Sequence, residues 1–333
     1  MLRFIYELEI LEHYDIEVRS THKIRGAFFC DTNEGTMVLK ETRVSDKRAP
    51  FMYKMLCKLE EEGYPNVDLP VATDEGSFIS TSRDGTRYML KRWFYGRECD
   101  VRKQQDVLAA AENLAVLHQK MRWTEPENGE VPMRGRHLRE EFLSHNRELK
   151  KVRSFMRNKV NKGNFEYLFL KYFEQMFQYA VQALRRLETS DYDSLYRKSI
   201  EGGYLVHGDY NYHNVLILGN SEAGAMATTN FEHVRVDVQM QDLYYFLRKV
   251  MEKHKWDAEL GRRILEVYHA VRPLEEAERE YLVLKLLYPE KFWKTASAYY
   301  HSNKAWIPEK NVEKLRLTIA QSEEKMRFLE EVF

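Results

Sequence analysis

From Tyr204 to Leu218 the chain reads Tyr-Leu-Val-His207-Gly208-Asp209-Tyr-Asn-Tyr-His213-Asn214-Val-Leu-Ile-Leu, an apolar strand entering a polar loop and an apolar strand leaving it. The loop holds an Asp and, five residues on, an Asn. Phosphoryl transfer needs a carboxylate that orients or receives the proton of the attacking hydroxyl, with an oxygen ligand for Mg²⁺ nearby. A loop fixed between two short strands can present both on one side. A solvated β-turn is the competing reading, because His, Asp and Asn all suit turns. His207 and His213 lie six residues apart and lack the i, i+4 spacing of a helical zinc pair, so they are not read as a metal site.

Other segments add to this loop. Met226-Ala-Thr-Thr-Asn230-Phe231-Glu232 is again a strand running into polar residues, and Met37-Val38-Leu39-Lys40 places a lysine at the end of an apolar strand. The elements that must position them follow from periodicity. Residues 1–14 have helical spacing. His22–Cys30 and Thr36–Glu41 are short apolar runs around the turn-rich Asp31–Gly35, a hairpin signal. A helix is predicted over 50–62, ended by Gly63 and Pro65, then strands at Val67–Ala72, Ser77–Ser80 and Arg87–Trp93. After Gly96 the pattern is helical: 107–121, 137–160, 164–188, 240–254, 257–270, 275–287, 289–303 and 309–332. A small β island interrupts it at Tyr204–Val206, Val215–Leu218 and Ala225–Asn230. The fold class expected is α+β and bilobal, with a β-rich first lobe over 1–95 and a helical second lobe over 96–333.

Composition excludes several classes. A chain of 333 residues with 44% apolar side chains exceeds what one core usually organises and is not disordered. No apolar stretch approaches the ~18 residues of a membrane span, and Glu7, Glu9 and Glu12 do not fit a secretory signal, so synthesis in the cytoplasm is expected. Lys and Arg (52) balance Asp and Glu (52), which argues against a nucleic-acid coat. Cys30, Cys57 and Cys99 are too few and too scattered for a disulfide framework or a zinc site. Within the neutral total, Arg134–Lys162 carries ten Lys and Arg against three Glu. That helix reads as a solvated face or as the docking site of an acidic partner.

His207-Gly-Asp209-x-x-x-x-Asn214 resembles the catalytic loop of the aminoglycoside phosphotransferase and choline kinase group, which has the protein-kinase-like fold. Within that group the chain most resembles the CotS family of spore-coat proteins: Asp242-Leu-Tyr-Tyr-Phe-Leu-Arg248 supports the likeness, and Gly96-Arg97-Glu98, within Trp93–Asp100, and Tyr288-Pro-Glu-Lys-Phe-Trp293 narrow it to that family. The resemblance implies Asp209 as catalytic base, with His207 and Asp242 supporting the loop. It implies Asn214 and Asn230 as metal ligands, Lys40 on the phosphates of ATP, and Lys91, Arg92, Trp93 and Phe94 as the hinge against adenine. ATP and Mg²⁺ are the cofactors it implies, other coat proteins the partners, and the spore coat the location.

Three departures weaken catalysis. Asn230 stands where the group supplies a carboxylate, and Mg²⁺ prefers anionic oxygen; Glu232, two residues on, is the one candidate to substitute. The first hairpin is poor in glycine, with Phe28-Phe29 between Gly26 and Gly35. The helix over 51–59 has no Glu to pair with Lys40. Three readings follow: a coat structural or assembly protein with a degenerate or weak phosphotransfer site; an active Mg-ATP-dependent phosphotransferase on a small-molecule or coat-polymer hydroxyl; or a nucleotide- or sugar-binding module without catalysis.

Overall fold

The computed structural model describes residues 9–24, 26–124, 132–219, 225–302 and 309–333. They form two compact units, 1–133 with 205–236, and 134–204 with 237–333.

The first unit holds the sheets. Strands β1 (Val18–Ile24), β2 (Ala27–Thr32) and β3 (Gly35–Glu41) form a meander, and β4 (Ser80–Thr81) and β5 (Arg87–Arg92) complete an antiparallel sheet of order β1-β2-β3-β5-β4. The run His22–Cys30 is therefore two strands rather than one. Gly26, at φ +86°, makes the turn between them, and Ile24 pairs with Ala27. Phe28, Cys30, Met37, Leu39, Tyr88 and Leu90 form a core on one face with Ile10, Leu11 and Tyr14. Tyr88 through Lys91 are all buried, so β5 is covered on both faces. Helix α1 (Arg48–Glu61) buries Phe51, Met52, Met55, Leu56 and Leu59, the expected stripe. It ends in a Schellman motif: Tyr64 N–H donates to Leu59 O (2.8 Å) and Gly63 N–H to Glu60 O (3.0 Å), with Gly63 at φ +84°.

The segment Val67–Ala72 runs beside β5, with Val71 N–H donating to Leu90 O and Arg92 N–H to Leu69 O, both 2.9 Å, but forms only isolated bridges. Pro70 lacks the N–H that a full ladder needs. Two small sheets finish the unit: β6 (Gly96–Glu98), β8 (Val215–Leu218) and β9 (Met226–Thr228) in order β6-β8-β9, and β7 (Leu205–Val206) paired with β10 (Arg235–Val236). Helix α2 (Gln104–Lys120) buries Val107, Ala111, Leu114 and Ala115. The helix predicted over 1–14 lies outside the described residues as far as residue 8, and Ile10–His13 is a 3-10 turn.

The second unit is helical. Helices α3 (Leu138–Asn158) and α4 (Asn164–Glu188) pack Leu149, Val152 and Met156 against Phe165, Phe169, Phe173 and Met176, spacings that keep one face turned to the core. Then come α5 (Tyr192–Glu201), α6 (Met240–Met251), α7 (Ala258–Val271), α8 (Glu276–Leu287) and α9 (Glu290–Tyr300). The helix expected over 309–332 is two, α10 (Glu309–Ala320) and α11 (Ser322–Val332). Ser322 Oγ donates back to Ile319 O at 2.7 Å, a side-chain bond that competes with the helical ladder. No described helix is long and apolar enough to cross a membrane.

Candidate functional site

The loop between β7 and β8 is fixed by short-range hydrogen bonds and one glycine. Gly208 has φ +83°, and a Cβ there would meet His233 O at 2.3 Å. His207 is fully buried. Its Nδ1 accepts from Asp209 N–H (3.2 Å), so Nε2 carries the proton and donates to Thr229 O at 2.9 Å. The Asp209 carboxylate accepts from two amides, Asn211 Nδ2 at 3.2 Å and Asn214 Nδ2 at 3.1 Å. Both amides also donate to the Asp209 carbonyl, at 2.8 and 2.9 Å.

From Asp209 a single chain of side chains runs outward. Asn214 Oδ1 accepts from Asn230 Nδ2 (2.6 Å), and Asn230 Oδ1 accepts from Lys40 Nζ (2.9 Å). Four residues that the sequence marks, Lys40, Asn230, Asn214 and Asp209, are thus brought together across up to 190 positions of chain. Asn230 is in the left-handed region (φ 66°, ψ 50°), which Asn tolerates better than most side chains. Its N–H donates to Asp68 Oδ2 at 2.8 Å.

Lys91 does something else. On β5 it is 1% exposed, and its ammonium pairs with Glu232 Oε1 (2.9 Å) and Asp68 Oδ2 (3.3 Å). Burial pushes the Lys91 ammonium down, but the Asp68 and Glu232 carboxylates raise it on balance. Burial pushes the Glu232 carboxyl up, and the adjacent Lys91 ammonium outweighs that and holds it below its usual range. Thr42 Oγ1 donates to Glu232 Oε2 (3.4 Å), and Arg48 Nη2 to the Glu232 carbonyl (3.1 Å). Arg92 pairs with Glu60 at the far end of α1, Trp93 N–H donates to Thr36 O (2.8 Å), and the Trp93 ring meets Phe29 edge-on at 5.6 Å. Phe94 is half-buried beneath the Arg92 guanidinium, 6.0 Å from its ring centre. Asp242, 1% exposed, sits in the first turn of α6 in the second unit.

Asp68, Thr42, Arg48 and Asn211 are site residues that sequence reasoning passes over. Asp68 alone carried a signal, a carboxylate inside the apolar run Val67–Ala72. Its Oδ1 is buried without a hydrogen-bond partner among the described residues.

The donor set does not fit Mg²⁺. Asn214 and Asn230 offer neutral oxygens that already accept hydrogen bonds, and the Glu232 carboxylate is committed to Lys91 and Thr42. Among the described residues no three His, Cys, Asp or Glu cluster as metal ligands. Mg²⁺ is a hard cation held mainly by anionic oxygen.

A meander-sheet unit, a helical unit and an Asp–Asn loop between two short strands define the class: an aminoglycoside-phosphotransferase-type, kinase-like fold. An aminoglycoside phosphotransferase from Alicyclobacillus acidocaldarius superposes with a TM-score of 0.83 at 20% identity, covering 98% of this chain and 94% of that one. Spectinomycin phosphotransferase, in complex with ADP and spectinomycin, matches with a TM-score of 0.64 at 12% identity over 97% and 98% of the two chains. More narrowly, the chain belongs to the family described as "Spore coat putative kinase YutH", whose model matches residues 7–332. Spore coat protein S of Bacillus subtilis (strain 168) is 25% identical over 337 residues, 97% of this chain and 93% of that protein. The coat-family resemblance read from the loop and from Tyr288–Trp293 therefore holds.

Proposed function

We propose that this protein is a spore-coat structural or assembly component that keeps a phosphotransferase scaffold with a degenerate or weak catalytic site. One observation carries the reading: the Asn230 side chain, where a metal-binding carboxylate would stand, is neutral and engaged at both ends, by Lys40 and by Asn214. At a few Å and an effective dielectric of ~20, one missing unit charge is worth on the order of several kcal/mol to a cation. Family membership and the likeness to spore coat protein S support a place in the coat with other coat proteins as partners.

A second reading, an Mg-ATP-dependent phosphotransferase acting on a small-molecule or coat-polymer hydroxyl, is favoured by the order of the chain Lys40–Asn230–Asn214–Asp209. In it Asp209 is the base, and His207 holds the backbone of its loop. Calorimetry with ATP, with and without Mg²⁺, separates the two. The coat reading expects no Mg²⁺-dependent heat in the wild type and its appearance in Asn230→Asp. Mg²⁺-dependent binding and turnover in the wild type, abolished by Asp209→Ala, would establish the enzyme instead. Binding without turnover in both proteins would leave the recognition module, in which the pocket serves to hold a nucleotide or sugar.

A further inference from the structure

The second unit contains a cleft whose chemistry none of the readings above uses. It opens between α6, the turn after it, the start of α9 and the helices α10 and α11, and its cavity of about 40 Å³ has room for a few waters or one small polyatomic group and too little for a nucleotide. Three cations line it, Arg248, Lys291 and Lys325, against two carboxylates, Glu252 and Glu290.

Each oxygen of both carboxylates already has a partner. Glu252 accepts from Arg248 Nη1 and from Lys291 Nζ, each at 2.6 Å. Glu290 accepts from Tyr244 OH at 2.6 Å, and Lys294 pairs with its other oxygen. Three donors are left over. Arg248 Nε and Trp256 Nε1 are buried without an acceptor among the described residues. The Lys325 ammonium, half-buried on α11, has no hydrogen-bond or ion-pair partner among the described residues. Burial, with the positive charge of Arg248 adding to it, pushes that ammonium down to about 8 despite Glu252 and Glu290 nearby. Trp256 is held there by backbone as well as by packing. It and Lys255 both have positive φ (59° and 51°), its N–H donates to Met251 O at 3.0 Å, and its ring meets Phe328 edge-on at 5.5 Å. Buried donors without acceptors are rare and costly in folded proteins. Here the Lys325 ammonium and two buried N–H groups, on Arg248 and Trp256, lack acceptors among the described residues, and all three belong to residues that line one cleft.

We infer that this cleft is a binding site for a small oxyanion, the phosphate or carboxylate group of a ligand, received by Lys325, Arg248 and Trp256. An oxyanion brings several acceptor lone pairs and the negative charge that the lining lacks, and charge-assisted hydrogen bonds are the strong ones. The site stands apart from the question of phosphotransfer, since all its lining residues belong to the second unit.

The test is thermal unfolding and calorimetry of the full chain with inorganic phosphate, with sodium acetate, and with sodium chloride at matched ionic strength. Expected is saturable stabilisation by phosphate or acetate that chloride does not reproduce. Lys325→Gln should weaken it about ten-fold or more, the loss of roughly one charge-assisted hydrogen bond. Trp256→Phe, which keeps the ring against Phe328 and removes the N–H, gives a second reading if the first variant does not fold. A response to phosphate alone assigns a phosphate group, and a response to acetate alone a carboxylate. No saturable response to either anion, or a response unchanged in the folded variants, would overturn the inference.

Discussion

Asn230 and Glu232 lie two residues apart and do opposite things with charge. At Asn230 a neutral amide relays hydrogen bonds between Lys40 and Asn214, in a chain whose only carboxylate is that of Asp209. At Glu232 a carboxylate joins Asp68 in holding Lys91, a lysine almost wholly removed from water. A buried ammonium must be paired, because its desolvation is otherwise prohibitive. The Glu232 carboxylate and one oxygen of Asp68 are thus engaged by a structural cation, and the other Asp68 oxygen has no partner among the described residues. Asp68 couples the two arrangements, since its Oδ2 accepts from both Asn230 N–H and Lys91. The segment Asn230–Glu232 is anchored here by an ion triad.

The largest effect should come from breaking that triad. Lys91→Met leaves the buried Asp68 and the half-buried Glu232 carboxylates without their cation and should destabilise the protein by about 3–5 kcal/mol in urea unfolding. A loss below about 1 kcal/mol would mean that the triad does not anchor the segment. The same pair has a pH signature. Because the folded-state Glu232 carboxyl lies below its usual value, the stability it adds is complete above the unfolded value of roughly 4.3. That stability is lost as pH falls through the lower folded value. Glu232→Gln should therefore show a shallower fall in stability over this acid window than the wild type.

Next in size is the conversion of one arrangement toward the other. Asn230→Asp puts a carboxylate between Lys40 and Asn214, within reach of the Asp209 loop. With Mg²⁺ at ten to a hundred times its dissociation constant, the variant should gain about 1–3 kcal/mol, read as a rise in melting temperature absent from the wild type. Asn214→Ala removes the amide that donates to both the carbonyl and the carboxylate of Asp209, and should cost about 1–3 kcal/mol. A variant as stable as the wild type would show that the neutral chain is not a structural feature.

How far these arrangements were legible in the sequence depends on the range of the contacts. Val215–Leu218 and the stripe Phe51–Leu59 are set by local spacing and stand where periodicity puts them. The Asp209 loop is held mostly by bonds spanning two to five residues, so its polar pattern was visible. Lys91 was not legible in the same way. It follows Tyr88-Met89-Leu90 on a strand covered on both faces, and its partners lie 23 and 141 positions away. No window of sequence records that this lysine is buried, nor that Glu232 faces it. The turn at Gly26 shows a smaller failure, in which two apolar strands meeting at a tight turn look like one run.

The smallest effect calibrates the largest. Three cations of the basic stretch Arg134–Lys162 are answered within the second unit: Arg153 pairs with Glu174 at 3.1 Å, Arg139 with Glu188 at 3.7 Å and Lys159 with Glu166 at 2.5 Å. The Arg153 and Glu174 side chains are 38% and 66% exposed, against 2% for the Lys91 side chain. In water the Coulomb gain of such a pair is nearly offset by hydration and side-chain entropy, so Glu174→Gln should change stability by about 0–1 kcal/mol. Moderate salt should halve even that, while leaving the Lys91 effect nearly intact, because buried pairs are screened far less. If Glu174→Gln cost as much as Lys91→Met, burial would not be what separates the two kinds of ion pair.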